Sequence, residues 1–138
     1  MVSAPAPLEL PRAIAEELVA HARAGLPDEA CGILSGTGAA VTRFHPAVNG
    51  DASPYRYSIE SQDLLRIVTE IEDADDEILA IYHSHTQSPA FPSRTDVELA
   101  FWPDAAYLIV SLATDPADLR AYTIAGGKIA RRELLLVD

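Results

Sequence analysis

The chain has 138 residues, of which 49% are hydrophobic and 22% charged, the proportions of one globular domain with a substantial core. Its 10 Lys and Arg against 21 Asp and Glu give a formal charge of −11, which repels a phosphate backbone and excludes nucleic acid as the expected partner. No run reaches the roughly 18 apolar residues of a membrane span, and with Cys31 as its single cysteine the chain can form neither an internal disulfide nor a four-cysteine zinc site.

The start, MVSAPAPLELP, lacks a basic n-region and an apolar h-region, so residues 1–9 read as a flexible leader, residues 10–138 as one domain, and the location as cytoplasmic. In PRAIAEELVAHARAG, Ile14, Leu18 and Val19 recur at helical spacing, with Pro11 suited to the first turn and Gly25 to the stop. ACGILSG and AVTRFHPAV flank the turn residues of SGTGAA and predict two strands; YRYSI predicts a third, short one. SQDLLRIVTEIED places Leu64, Val68 and Ile71 on one face of a second helix, and the acidic run EDADDE at 72–77 after it reads as a solvated loop. EILAIYHSH fits a buried strand, and SRTDVELAFW a third helix running from Ser93 until Pro103 stops it. AAYLIVSL, LRAYTIA and KIARRELLLV are further strands, the last two joined by a turn at Gly126 and Gly127. This order predicts a single-domain α/β (α+β) fold, a sheet with helices packed on it.

Chemistry concentrates in YHSHTQSPAFPSRTD. His83 and His85 stand two apart at the end of a strand, so their side chains project to the same side and both imidazoles can reach one ion. Asp96 follows after ten intervening residues, enough for a loop to return a carboxylate to the same point. Two neutral imidazoles and one carboxylate leave a tetrahedral zinc one open position, as in catalytic sites. Ser93 and Asp96 fit equally well a helix N-cap with an acid at its third position, a purely structural device. His21 and His45 have no partner spacing and read as structural. Hydrolysis needs a further carboxylate that is not a ligand, to take the proton of the attacking water and pass it to the leaving amine. Glu29, in PDEACGILSG at the start of an apolar strand, is the candidate; otherwise it is an exposed residue ahead of that strand.

Together, an upstream Glu29, His83 and His85 with one residue between them, Ser93, and Asp96 after ten further intervening residues resemble the pattern of the JAMM, or MPN+, zinc metallopeptidases. That resemblance implies a curved mixed sheet flanked by helices, related to the cytidine deaminase fold. It also implies one Zn2+ per chain on His83, His85 and Asp96, with Glu29 as general base and acid and Ser93 stabilising the tetrahedral oxyanion. Deaminase chemistry itself is excluded, because a Pro-Cys-x-x-Cys ligand pair cannot come from one cysteine. The two motif segments look most like the short bacterial members that act on ubiquitin-like sulfur carrier proteins, among them the Mec-type hydrolases that release cysteine from a carrier's C-terminus. The function implied is hydrolysis of the bond after a carrier's C-terminal Gly-Gly, with an extended tail that can add to a sheet edge. A small-molecule dipeptidase or amidase would share the same residues. A non-catalytic interaction domain is the third reading, and the intact five-residue set argues against it. Thr86 stands where many relatives have Pro, and Cys31 reads as a small buried apolar residue.

Overall fold

The computed structural model describes residues 5–138, in which eight strands form one mixed sheet, in the order β7-β6-β5-β4-β2-β3-β1-β8, with helices on both faces. Helix α1 (Arg12–Ala24) starts behind Pro11 and ends at Gly25, and buries Ile14, Leu18 and Ala22 as a stripe at four-residue spacing. β2 (Cys31–Thr37) and β3 (Ala40–Ala47) form a hairpin. Helix α2 (Ser61–Asp73) is capped by the Glu60 carboxylate, which accepts from the Gln62 and Asp63 N–H groups, and it buries Ile67 and Ile71.

The central strand is β4 (Glu77–His85), antiparallel to β2 with Cys31 opposite His83, and parallel to β5 (Ala106–Ser111) with Ile109 on the other side of His83. Alternate residues Ala80 and Tyr82 pack with Leu34, Leu108 and Val110 under α1. Ile81 packs with Cys31, Ile33 and Tyr107 under α2. Both faces of β4 are therefore covered, which is why its sequence is a continuous apolar run. The two-residue strand period puts His83 and His85 on the face of Ile81, the α2 side.

Four expectations change. Leu8–Pro11 is a strand, β1, parallel to β8 (Leu134–Val137), with Leu8 and Leu10 completely buried, so residues 8 and 9 belong to the sheet and not to the expected leader 1–9, of which residues 1–4 lie outside the described residues. YRYSI forms no strand; it belongs to an irregular loop joined by a single bridge, Asn49 to Ile59. Helix α3 spans only Arg94–Glu98, because Pro103 disfavours helical geometry at Trp102, whose N–H is instead held by the Tyr107 hydroxyl at 2.9 Å. The last apolar run splits at Glu133: β7 (Lys128–Arg132) pairs with β6 (Asp118–Ala125) across Gly126 and Gly127, while the Glu133 carbonyl accepts from Leu8 and sends β8 to the opposite edge of the sheet. Both turn glycines have positive φ, +58° and +76°, the conformation a two-residue hairpin turn demands.

The two histidines read as structural hold such positions. His21 bonds the Tyr82 hydroxyl through Nδ1 at 3.2 Å beneath α1. His45 links Ser35 (Nε2 to Oγ, 2.7 Å) to Glu70 (Nδ1 to Oε2, 3.2 Å) and so bolts α2 to the β2–β3 hairpin. The Ser-His-Glu order imitates a hydrolase relay, but Ser35 has no exposed surface and cannot meet a substrate.

Candidate metal centre and active site

β4 delivers His83 and His85 rigidly at its C-terminal end, and the first turn of α3 delivers Asp96. Nε2 of His83, Nε2 of His85 and Oδ2 of Asp96 stand 3.2, 3.1 and 2.9 Å from one another, and all three side chains are buried. Tetrahedral ligands at the usual zinc bond lengths are about 3.3 Å apart, so the three donor atoms are already close to metal-binding spacing. The second ring nitrogen of His85 donates to the Pro89 carbonyl at 2.7 Å, which fixes the ring and aims Nε2 inward. Tyr57 stacks on His83 with ring centroids 4.4 Å apart and planes 17° from parallel, closing one face of that imidazole.

The three donors also balance one another's protons. Burial works to lower the His85 pKa, but the Asp96 carboxylate, the Pro89 carbonyl and the nearby Glu29 outweigh it and raise it. His83, whose Nδ1 has no partner among the described residues, is pushed down by burial. Burial opposes ionisation of Asp96, yet the hydrogen bonds from His83 and His85 hold its carboxyl far below the usual range. An anionic oxygen facing two imidazole nitrogens is a donor set suited to a borderline cation such as zinc.

Ser93 and Asp96 do form a capping box: the Ser93 hydroxyl oxygen accepts from the Asp96 N–H at 3.0 Å, and Asp96 Oδ2 accepts from the Ser93 N–H at 2.9 Å. Oδ2 is the same oxygen that faces both histidines, so the structural and metal-binding readings of these two residues coexist. Glu29 is not exposed ahead of the strand. It is 5% exposed, its Oε1 has no hydrogen-bond partner among the described residues, and it lies close enough to His85 and Asp96 to feel their charges. Burial pushes its pKa up to about 8, against the pull of His85 and with Asp96 adding to the rise. Cys31 is buried with its thiol pushed up to about 12, mainly by burial, and packs in the α2-side core.

Three positioning residues escape a reading of the sequence. Ser84, between the two histidines, accepts from the Ala30 N–H at 2.8 Å and clamps the backbone beside Glu29 to β4. Asn49 uses its whole amide: it donates to the Glu29 and Arg56 carbonyls and accepts from the Asp51 and Ser58 N–H groups, shaping the loop that carries Tyr57. Tyr57 itself lies in the segment expected to be a strand. The dipeptide Asn49-Gly50 signals a turn, but no local pattern reveals what that turn holds.

Fold and side chains together define a metal-dependent hydrolase of the JAMM type. Residues 11–125 match the family described as prokaryotic homologs of the JAB domain, and the chain belongs to that family. It is 43% identical over 125 residues to the CysO-cysteine peptidase of Mycobacterium tuberculosis, covering 88% of this chain and 85% of that protein. It is 40% identical over 103 residues to a desampylase of Haloferax volcanii, covering 70% and 74% of the two chains. Among solved structures, protein DSY2949 of Desulfitobacterium hafniense superposes with a TM-score of 0.86 at 36% identity, covering 94% of this chain and 92% of that one.

Proposed function

We propose that this chain is a cytoplasmic zinc peptidase that hydrolyses the bond after the C-terminal Gly-Gly of a small ubiquitin-like sulfur carrier protein and releases cysteine. The observation that carries this reading is the convergence of three donor atoms within 3.2 Å beside the buried Glu29 carboxyl. Its likeness to a CysO-cysteine peptidase over 88% of the chain supports the substrate class.

His83, His85 and Asp96 would hold one zinc, which would supply Lewis acidity and bring the pKa of a water to about 7. His85 gives up its Nε2 proton to serve as a ligand, so metal affinity falls as pH drops. Glu29 takes the proton of the attacking water and hands it to the leaving amine. A pKa near the working pH suits a group that must do both. The Ser93 hydroxyl oxygen is engaged by the Asp96 N–H, which leaves its O–H to donate to the oxyanion of the tetrahedral intermediate. A groove of about 290 Å³, lined by Asp51 and Arg56 as well as Leu64, Phe101 and Trp102, borders the centre through Tyr57, which stacks on His83, and is the place this reading gives to the carrier tail.

Intact-mass spectrometry of a Gly-Gly carrier bearing one added C-terminal cysteine tests the proposal, with free Gly-Gly-Cys peptide in a parallel reaction. Loss of one cysteine residue from the carrier, stopped by a chelator and much faster than release from the free peptide, is the expected result. Equal turnover of both would make this a small-peptide hydrolase, and an unchanged carrier with zinc bound would remove the cysteine-releasing role.

A further inference from the structure

On the sheet face away from His83, a cavity of about 1070 Å³ opens between α1 and the strands β6, β7 and β8. Its apolar wall includes Ala15 and Val19 of α1, Leu119 and Ala121 of β6, and Leu134. The volume is at the upper end of the roughly 300–1,000 Å³ typical of small-ligand sites. Four of the ten basic residues of this strongly acidic chain line it: Arg23, Arg120, Arg131 and Arg132.

These four are not equivalent. Arg23 reaches Asp115 at 4.0 Å and Arg120 is paired with Asp118 at 2.9 Å. Glu16 and Glu133 also border the cavity, but both are exposed and solvated. Arg131 is exposed and stands opposite Tyr122, one position along the strand and so on the other face; Arg132 differs from all of these. It stands opposite Ala121, a residue of the α1-side core, so it shares the face on which the cavity opens. It is partly buried, and among the described residues it has no carboxylate within ion-pair distance; its Nε donates to the Ala6 carbonyl at 3.1 Å. Burial pushes its pKa down, the mark of a cation withdrawn from water without a counter-charge. A guanidinium held in this way beside an apolar concavity is stabilised by an anion that brings its own apolar surface.

We propose that this cavity binds an amphipathic organic anion, its carboxylate on Arg132 and its hydrocarbon part over Val19, Leu119 and Leu134. The site is separate from the hydrolytic centre and does not depend on the substrate assigned there. A neutral ligand of the same shape fills the cavity but leaves Arg132 without a counter-ion, so charge is the discriminating variable.

The test is an NMR titration of the zinc-loaded chain with decanoate, and with decanol as the uncharged control. Decanoate is expected to shift the amides of Val19, Leu119, Ala121 and Leu134 saturably, at least about tenfold more tightly than decanol, a difference of about 1.4 kcal/mol. Arg132→Gln should remove that preference while leaving carrier cleavage unchanged, and Arg132→Lys should retain part of it. Ala20→Glu, at an exposed position of α1 that lines the cavity, should abolish decanoate binding without relying on the Arg132 variants. Absence of shifts at these residues, equal affinity for the two probes, or an Arg132→Gln variant that keeps the preference would each overturn the proposal. Shifts at the same residues that instead follow protein concentration, or added carrier, would overturn it in favour of a second copy or of the carrier.

Discussion

Glu29 links stability to chemistry, and its replacement by Gln in the metal-free protein makes the link measurable. In the unfolded chain this carboxyl titrates near 4.5, and in the folded one burial raises it to about 8. A gap of about 3.5 pH units at 1.36 kcal/mol each is at most about 5 kcal/mol, a large part of the 5–15 kcal/mol by which a domain is ordinarily stable. The sign follows from which state holds the proton. Below about 4.5 both states are protonated and this group costs nothing; between about 4.5 and about 8 the unfolded chain ionises while the folded one does not, so stability falls as pH rises. The amide that replaces the carboxyl in Glu29→Gln cannot ionise. Urea denaturation of chelator-treated protein at about pH 5 and about pH 8 should therefore show a decline of several kcal/mol in the natural chain that is missing from Glu29→Gln, with the variant the more stable at the higher pH. The other titrating groups are common to both proteins and, apart from His85 and Asp96, which interact with the Glu29 charge, cancel in the comparison. A stability difference that stays constant between the two pH values would refute the buried, protonated carboxyl. Zinc in the site should narrow the gap, because a nearby cation favours the carboxylate.

Asp96→Ala should abolish stoichiometric zinc binding by elemental analysis, and a variant that keeps one zinc per chain would remove Asp96 from the ligand set. Ser93→Ala takes away an N-cap worth about 1 kcal/mol and should also lower kcat; a loss of stability with kcat intact would leave the hydroxyl a cap alone. The Thr86 hydroxyl donates to the Pro54 carbonyl at 3.3 Å and ties the metal-bearing loop to the loop of Tyr57. Thr86→Val should raise KM for the carrier with kcat little changed and Thr86→Ser should restore it, whereas unaltered KM would show that this clasp does not shape the groove.

Much of this architecture is local and is readable from the chain itself. The unbroken apolar run of β4 announces a strand covered on both faces, and the i, i+2 histidines at its end follow from strand geometry alone. Both long helices declare themselves by their apolar stripes, whereas the Glu60 cap of α2 has no such signal. What escapes such a reading depends on distant partners. Leu8 and Leu10 alternate like a strand, but four residues are too few to recognise until β8 arrives from the far end of the chain. The third helix has the composition of a longer one, yet Pro103 and the Tyr107 hydroxyl claim its last turn. Asn49 and Ser84 are ordinary polar residues in sequence. Their importance comes from the backbone groups that folding brings to them, the Glu29 carbonyl and the Ala30 N–H.

The central claim separates the residues that hold the metal from the residue that moves the proton. Zinc content and carrier–cysteine cleavage, measured on the same preparation of Glu29→Gln, test it most directly. The account predicts one zinc per chain, as in the natural protein, with turnover lowered by at least ~10²-fold. Loss of zinc from this variant would make Glu29 a ligand, and full zinc with near-normal turnover would show that the proton travels by another route.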